Sequence, residues 1–422
     1  MPAGAAEMLR RRGYALAKVT FVHRHGPAQF THLAGELARQ GHDVTLLCET
    51  SDLDIAGVRV IKHAPVGSTE GQTSVDYQIR VGTKAAQALD IMRRKGDIPD
   101  IIVGHVGWGS LLFAKDIFPT TPMLGYCEFY YRARGADVGF DKSDAVTIED
   151  IVRVKSRNFA QLATIPEIDA GISPTSWQRD GYPGAIARQI GVIHEGIDTQ
   201  ACAPDPSATI VLPNGRKLTA GDPVVTFAAR DLEPYRGFHQ FMRAAAILAD
   251  RDPRVIFVVA GGHGASYGSM PAGGRTWRDV MMEETGLDPS RIHFLGTVPH
   301  AYLIRMFQVS AAHVYLTYPF VLSWSMLEAM SAGVLLVASN TAPVSEFVTN
   351  GNNGLLVPFF DPALLASALA EAMANDKHRS LRDAARRTVI ERVELRAMLK
   401  RQIRLLDRLM TTRSGVGTRF QG

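Results

Sequence analysis

The sequence predicts an α/β protein of two Rossmann-like domains, and three observations predict it. Short β-branched runs alternate with amphipathic segments from Val19 to Val357, the pattern of parallel strands covered by helices. The alternation breaks at Ala203-Pro-Asp-Pro, passes a hairpin signal at Pro213-Asn214-Gly215, and then restarts. Finally, 422 residues exceed one ordinary core and suit two.

In the first half, Val19–His23 reads as a strand and Gln29–Gln40 as a helix ended by Gly41. Strand Val44–Cys48 follows, then a helix from Val75 to about Lys95, then strands Ile101–Gly104 and Met123–Tyr126. A helix over about Ile148–Ala163 leads to strands near Ala170–Ser173 and Gln189–Ile193. After the Ile210–Leu218 hairpin come strand Val224–Ala228, helix Phe238–Ala249 and strand Val255–Ala260. Strand His293–Leu295, helix His300–Val309, strand Ala312–Thr317, helix Ser323–Ala332 and strands Val334–Ala338 and Gly354–Val357 complete the second half. Pro362–Met410 reads as helical. The expected division is residues 1–205, residues 206–395, and a C-terminal helix and tail over 396–422. Ligands of such sheets sit outside the carboxyl ends of the strands, so the informative residues should follow strands.

Composition narrows the class. Hydrophobic residues are 46% and charged residues 21%, which is ordinary for a folded protein. Basic and acidic residues number 46 and 42, and a net charge of +4 is too balanced for a nucleic-acid binder. Cys48, Cys127 and Cys202 have no metal-type spacing and read as reduced, buried thiols of a cytoplasmic protein. The arginines at 10–12 lack the apolar core of a signal peptide; a frayed extension is the simpler reading, a peripheral contact with the inner membrane face the other. The apolar run Ala311–Ser339 contains Glu328, Pro319 and Gly333, which argues against a membrane span.

The densest chemistry lies in LTYPFVLSWSMLEAMSAGVLLVASNTAPVSEFVTNGNNGLLVP, Leu316 to Pro358. Glu328 sits in an otherwise apolar helix and needs a donor. A ribose diol would supply two hydroxyls, and a structural ion pair with an arginine is the equal alternative. The loop before that helix presents the amides of Val321, Leu322 and Ser323, a place where phosphate binds. In AARDLEPYRGFHQFMRA, Arg230 follows a strand and Arg236-Gly237 precedes a helix. Two cations so spaced suit a diphosphate, and two surface arginines suit the spacing equally.

These segments resemble the donor-binding signature of the family 4 retaining glycosyltransferases, which have the GT-B fold of two Rossmann-like domains facing across a central cleft. The resemblance runs from Val19 to Pro358 in family order. It implies that Glu328 holds the donor ribose, that Glu346 is a second recurrent acid, and that Arg230 and Arg236 bind the diphosphate, with Arg236 where lysine is usual. It implies a donor contact for the glycine loop Val258-Val-Ala-Gly-Gly-His-Gly, with Gly262, and for IHFLGTVP at Ile292. One departure is plain: the family has a glutamate at the position of Phe320, so a contact to the donor sugar is missing or comes from elsewhere.

In the first half, Gly26 lies in a turn where backbone can approach the donor. His105 ends a strand in a Gly-rich loop. A lone histidine there is more often structural, but the resemblance implies that it contacts the transferred sugar. Glu128 in EFYYRAR reads as an acceptor-side residue or an ordinary loop charge. The expected activity is transfer of a sugar from a nucleotide-diphosphate sugar to an unidentified acceptor, with anomeric retention. No cofactor or metal ion is expected, since no Asp-x-Asp motif appears where a nucleotide diphosphate would need one. A nucleotide-sugar epimerase on the same fold, or a binding protein that lost catalysis, are the rival readings.

Overall fold

The computed structural model describes residues 16–51, 54–67, 74–143, 145–374 and 378–414. The arginines at 10–12 and the end of the tail lie outside the described residues. The chain divides into two compact units, residues 1–196 with 395–422, and residues 197–394.

The first unit is built on a seven-stranded sheet. Its strands are β1 (Lys18–Val22), β2 (Asp43–Cys48), β3 (Val58–Lys62), β4 (Ile101–His105), β5 (Met123–Tyr126), β6 (Ala170–Ser173) and β7 (Ile190–Val192). They lie in the order β3-β2-β1-β4-β5-β6-β7, all parallel. Each face of this sheet is apolar. Phe21, Leu46 and Val103 pack on one side with Phe30, Leu33 and Leu37, while Val22, Leu47 and Ile102 pack on the other with Ala85, Leu89 and Leu111. Burial on both faces explains why these strands read as near-continuous apolar runs.

The second unit repeats the plan with β8 (Val224–Asp231), β9 (Ile256–Gly262), β10 (Ile292–Phe294), β11 (Ala312–Tyr315), β12 (Leu335–Ser339) and β13 (Leu355–Val357). Their order is β10-β9-β8-β11-β12-β13, again parallel. The predicted hairpin is a separate antiparallel pair, Thr209–Val211 with Lys217–Thr219. In both units the order reverses beside the first strand, at β1/β4 and at β8/β11, which is where a doubly wound sheet opens a crevice.

Four differences from the sequence reading have physical causes. The long helix expected over Ile148–Ala163 is two, Ile148–Arg157 and Phe159–Thr164. They divide at Asn158, a fully buried side chain that bonds both the amide and the carbonyl of Tyr131. Strand β3 was not anticipated; it is a short edge strand carrying the exposed Arg59 and Lys62. The unit boundary falls after Gly196, earlier than the Pro-rich linker. The C-terminal helix, Leu395–Ser414, is part of the first unit, with Leu399 and Leu406 in its core and Gln402 donating to the His194 carbonyl at 2.8 Å. All three cysteines are free and buried. No described helix is long and apolar enough to cross a membrane.

Candidate functional site

In the second unit, β8 runs out at Arg230 and Asp231, and a short turn, Pro234–Arg236, leads into the helix Phe238–Arg251. Gly237 joins them with φ 73°, and a Cβ there would sit 2.3 Å from the Leu316 side chain. That close approach seats the turn against the segment following β11 and aims Arg236 inward.

Arg236 is buried. Its Nη1 donates to Thr317 Oγ1 at 2.8 Å, to the Val321 carbonyl at 3.2 Å and to the Tyr315 hydroxyl at 3.4 Å. The guanidinium also lies over two rings, Tyr267 at 5.2 Å and Phe320 at 5.8 Å. Burial would lower its pKa, but the Tyr315 and Tyr267 hydroxyls outweigh burial and raise it. Among the described residues no carboxylate forms an ion pair with it. Glu233, close by and fully buried, spends its oxygens on the amides of Ser266, Tyr267 and Gly268 at 2.8–3.3 Å. Glu233 acts on this cation electrostatically without pairing with it, and a desolvated, permanently charged group outside any direct ion pair can receive an anion.

Two acids hold the glycine loop over this cation. Asp231 accepts the Gly264 amide at 3.0 Å and the Ser266 hydroxyl, while Glu233 takes the next amides. Gly262 leaves room for this, because a Cβ there would lie 2.5 Å from Asp231 Oδ1. The loop thereby carries Tyr267 onto Arg236. Gly262 was expected from the glycine loop, whereas Asp231, Glu233 and Tyr267 were not; two acids ahead of a loop rich in Gly and Ser were the available signal.

A cavity of about 300 Å³ opens here, lined among others by Arg230, Arg236, Gly261, Tyr267, Thr297 and Ser323. Of the predicted donor residues it gathers Arg230, Arg236 and Ser323. Arg230 is exposed, in contrast to Arg236. The three predicted amides differ. Ser323 N–H donates to the Tyr315 hydroxyl at 2.9 Å, and Ser323 Oγ caps the helix Trp324–Ser331. Val321 instead offers its carbonyl to Arg236, and no hydrogen bond engages the Val321 or Leu322 amide among the described residues.

Glu328 is buried one turn beyond Ser325 of the lining. Its partner is His300, with Nε2 2.8 Å from Oε1, and not an arginine. No motif or spacing points to this histidine. Glu346 lies outside the cavity lining and pairs with Arg392 at 3.7 Å. Phe320, at the family's glutamate position, packs against Tyr235 and Tyr267 at 5.2 and 5.0 Å between ring centres. An aromatic wall stands where a carboxylate was expected.

In the first unit, His105 ends β4 and is buried. Its Nδ1 accepts the Gly107 amide at 2.9 Å, which places the proton of the neutral ring on Nε2, 3.2 Å from Glu128 Oε2. Gln29 donates to the other Glu128 oxygen. His23 stands edge-on to His105 at 5.2 Å. Its pKa is well below the usual value because of burial first, then the neighbouring His105 and His25. A small cavity, about 40 Å³, is lined by Gln78, His105, Trp108, Glu128, Tyr131 and Arg157. Trp108 Nε1 and Arg157 Nε are buried there with no hydrogen-bond partner. Gly26 pairs with Ser51 beside this group, in the bridge His25–Gly26 with Thr50–Ser51. Among the described residues no cluster of three or more His, Cys, Asp or Glu side chains forms a metal site.

Comparison with known proteins agrees with the two-unit fold. Residues 40–202 match the Glycosyl transferase family 4 group, and residues 214–388 match Glycosyl transferases group 1. The D-inositol 3-phosphate glycosyltransferase of Corynebacterium efficiens is 27% identical over 360 residues, 82% of this chain and 81% of that protein. The same-named protein of Corynebacterium glutamicum is 29% identical over 371 residues, 82% of each chain. Among solved structures, a sucrose-phosphate synthase from Thermosynechococcus elongatus superposes with a TM-score of 0.73 at 18% identity, covering 94% of this chain and 100% of that one. Anabaena HepE, in complex with UDP and glucose, gives a TM-score of 0.66 at 14% identity, covering 93% and 99%. With two matched segments that together span most of its length and two Rossmann-like units of the GT-B type, the chain belongs to the family 4 glycosyltransferases.

Proposed function

We propose that the protein transfers a sugar from a nucleotide-diphosphate sugar to a hydroxyl acceptor, with retention of the anomeric configuration and without a metal ion. The observation that carries this reading is the buried Arg236, in no direct ion pair among the described residues, in a cavity shared with the exposed Arg230. As the bond from the anomeric carbon to the diphosphate oxygen breaks, its electron pair leaves with the diphosphate, and negative charge develops there. Fixed cations in a dry site stabilise that charge without reorganising. The Val321 and Leu322 amides extend the same field, and Glu328 accepts the ribose hydroxyls. Retention is the expectation that the family resemblance brings.

His105, Glu128, Trp108 and Arg157 form the acceptor side in this reading. Two buried donors without partners, Trp108 Nε1 and Arg157 Nε, suit an acceptor rich in oxygen atoms. The names of the curated relatives make D-inositol 3-phosphate the first acceptor to try, and the UDP held by Anabaena HepE makes UDP-sugars the first donors. The test is release of a nucleoside diphosphate from a panel of nucleotide-sugars, with and without that acceptor, in the presence of EDTA. Proton NMR of the product then reads the anomeric configuration. Activity abolished by EDTA and restored by Mg²⁺ or Mn²⁺ contradicts the metal-free reading, and an inverted anomer contradicts retention.

A further inference from the structure

His300 opens the helix His300–Val309, directly after Thr297 and Val298 of the donor-cavity lining. Its bond to Glu328 joins unequal partners. The Glu328 side chain is 10% exposed, whereas the His300 ring is 62% exposed. Packing gives an exposed imidazole little reason to lie at this point, but a buried carboxylate has a strong need of a donor. Among the described residues, His300 is the one side chain that hydrogen-bonds the Glu328 carboxylate. Burial and the nearby Glu328 charge push the Cys202 thiol up to about 12, so it stays protonated and offers no competing charge.

We propose that His300 is a positioning residue for Glu328, fixing the rotation of its carboxylate so that the donor ribose meets a preset acceptor. This rests on the reading of Glu328 as the ribose ligand. A carboxylate has about four acceptor directions, and the imidazole occupies one of them, which leaves enough for two ribose hydroxyls. Without His300 the Glu328 side chain would have to be immobilised by the ligand itself, and ordering a side chain weakens binding. The Glu328 bond also raises the His300 pKa, the direction expected for a ring held against a carboxylate. The position is legible only in three dimensions, since 28 residues separate the partners.

The experiment is calorimetric titration of the full chain with uridine, adenosine and guanosine diphosphates, each paired with its 2′-deoxy counterpart. His300→Ala should weaken the preferred ribonucleotide by about tenfold, the scale of freezing one side chain on binding. The deoxy form, already short of one hydroxyl, should change by only about twofold, so the ribose preference collapses. His300→Gln, which keeps an N–H donor of similar reach, should restore most of that preference. Loss of affinity for ribo and deoxy forms alike would mark a merely structural role and overturn the proposal. So would an undiminished ribose preference in His300→Ala while Glu328→Gln abolishes it. If Glu328→Gln leaves ribonucleotide affinity unchanged, or no diphosphate binds, the donor reading fails first and this inference falls with it.

Discussion

The two units share one strand order and differ in what they place at its reversal. Beside β1 and β4 the first unit sets His23 and His105, imidazoles buried among aromatic rings, with His23 held neutral. Beside β8 and β11 the second unit sets Arg236 on Tyr315 and Thr317, a buried charge that cannot be shed. Topology therefore selects where a site forms, and side-chain chemistry selects its ligand. In the proposed reading the imidazole end, with Glu128 as acceptor and an unpartnered Trp108 N–H, receives a hydroxylic molecule. The cationic end fits a diphosphate.

The largest expected effect tests the cationic half. Arg236→Met should weaken nucleoside diphosphate binding by about a hundredfold or more, since charged hydrogen bonds contribute roughly 1.5–3 kcal/mol each. The unliganded melting temperature should fall by several degrees, because Met leaves the Thr317, Tyr315 and Val321 oxygens without this donor at a cost of about 1–3 kcal/mol each. Titration and melting on the same variant decide the matter. A sharply lowered melt with intact affinity would make Arg236 a structural residue and erase the contrast between the units.

The imidazole half is tested next. His105→Ala should lower turnover by about a hundredfold, the low end for loss of a positioned proton-transfer group. Nucleoside diphosphate affinity should stay within about twofold, since the donor cations lie in the other unit. Steady-state kinetics beside a titration measures both. Parental turnover in this variant would return His105 to the structural role that a lone buried histidine more often has.

Much of this contrast was legible in the sequence because strand-ending residues are displayed by period and punctuation. Met123–Tyr126 and His300–Val309 have the bounds that the pattern predicted; Arg230 and His105 stand at strand ends and Arg236 in the turn before a helix, where each was sought. Contacts between distant segments were not legible. Nothing in the spacing ties Asp231 to Ser266, His300 to Glu328 or Arg392 to Glu346, because each pair is closed by the packing of separate βα units. The C-terminal helix was left apart from both domains for the same reason. Its amphipathic stripe announces burial but not the partner surface, which is the sheet formed some three hundred residues earlier. Phe320 marks the limit in the other direction. As a sequence departure it looked like a lost contact, but it supplies one wall of the Arg236 cage.

The smallest expected effect asks whether the units share a weakness to acid. Burial lowers the His313 pKa to about 3 in the second unit, and lowers that of His23 well below the usual value in the first. Both rings are neutral in the folded state and titrate near 6.5 once unfolded. Between those values unfolding takes up protons, so stability falls as pH drops below about 6.5. For His313 the loss continues down to about 3. Each such ring contributes a slope of at most about 1.4 kcal/mol per pH unit. His313 Nδ1 bonds Thr226 Oγ1 at 2.9 Å, so His313→Gln keeps a polar partner for Thr226 while removing the titration. That variant should be somewhat less stable at pH 8, from lost packing against Phe307, yet lose less on acidification. Melting curves from pH 8 to pH 5 should show its slope reduced by the equivalent of about one proton, and His23→Gln should do the same for the first unit. An acid slope unchanged in His313→Gln would mean that this buried ring is charged in the folded state, against the apolar contacts that surround it.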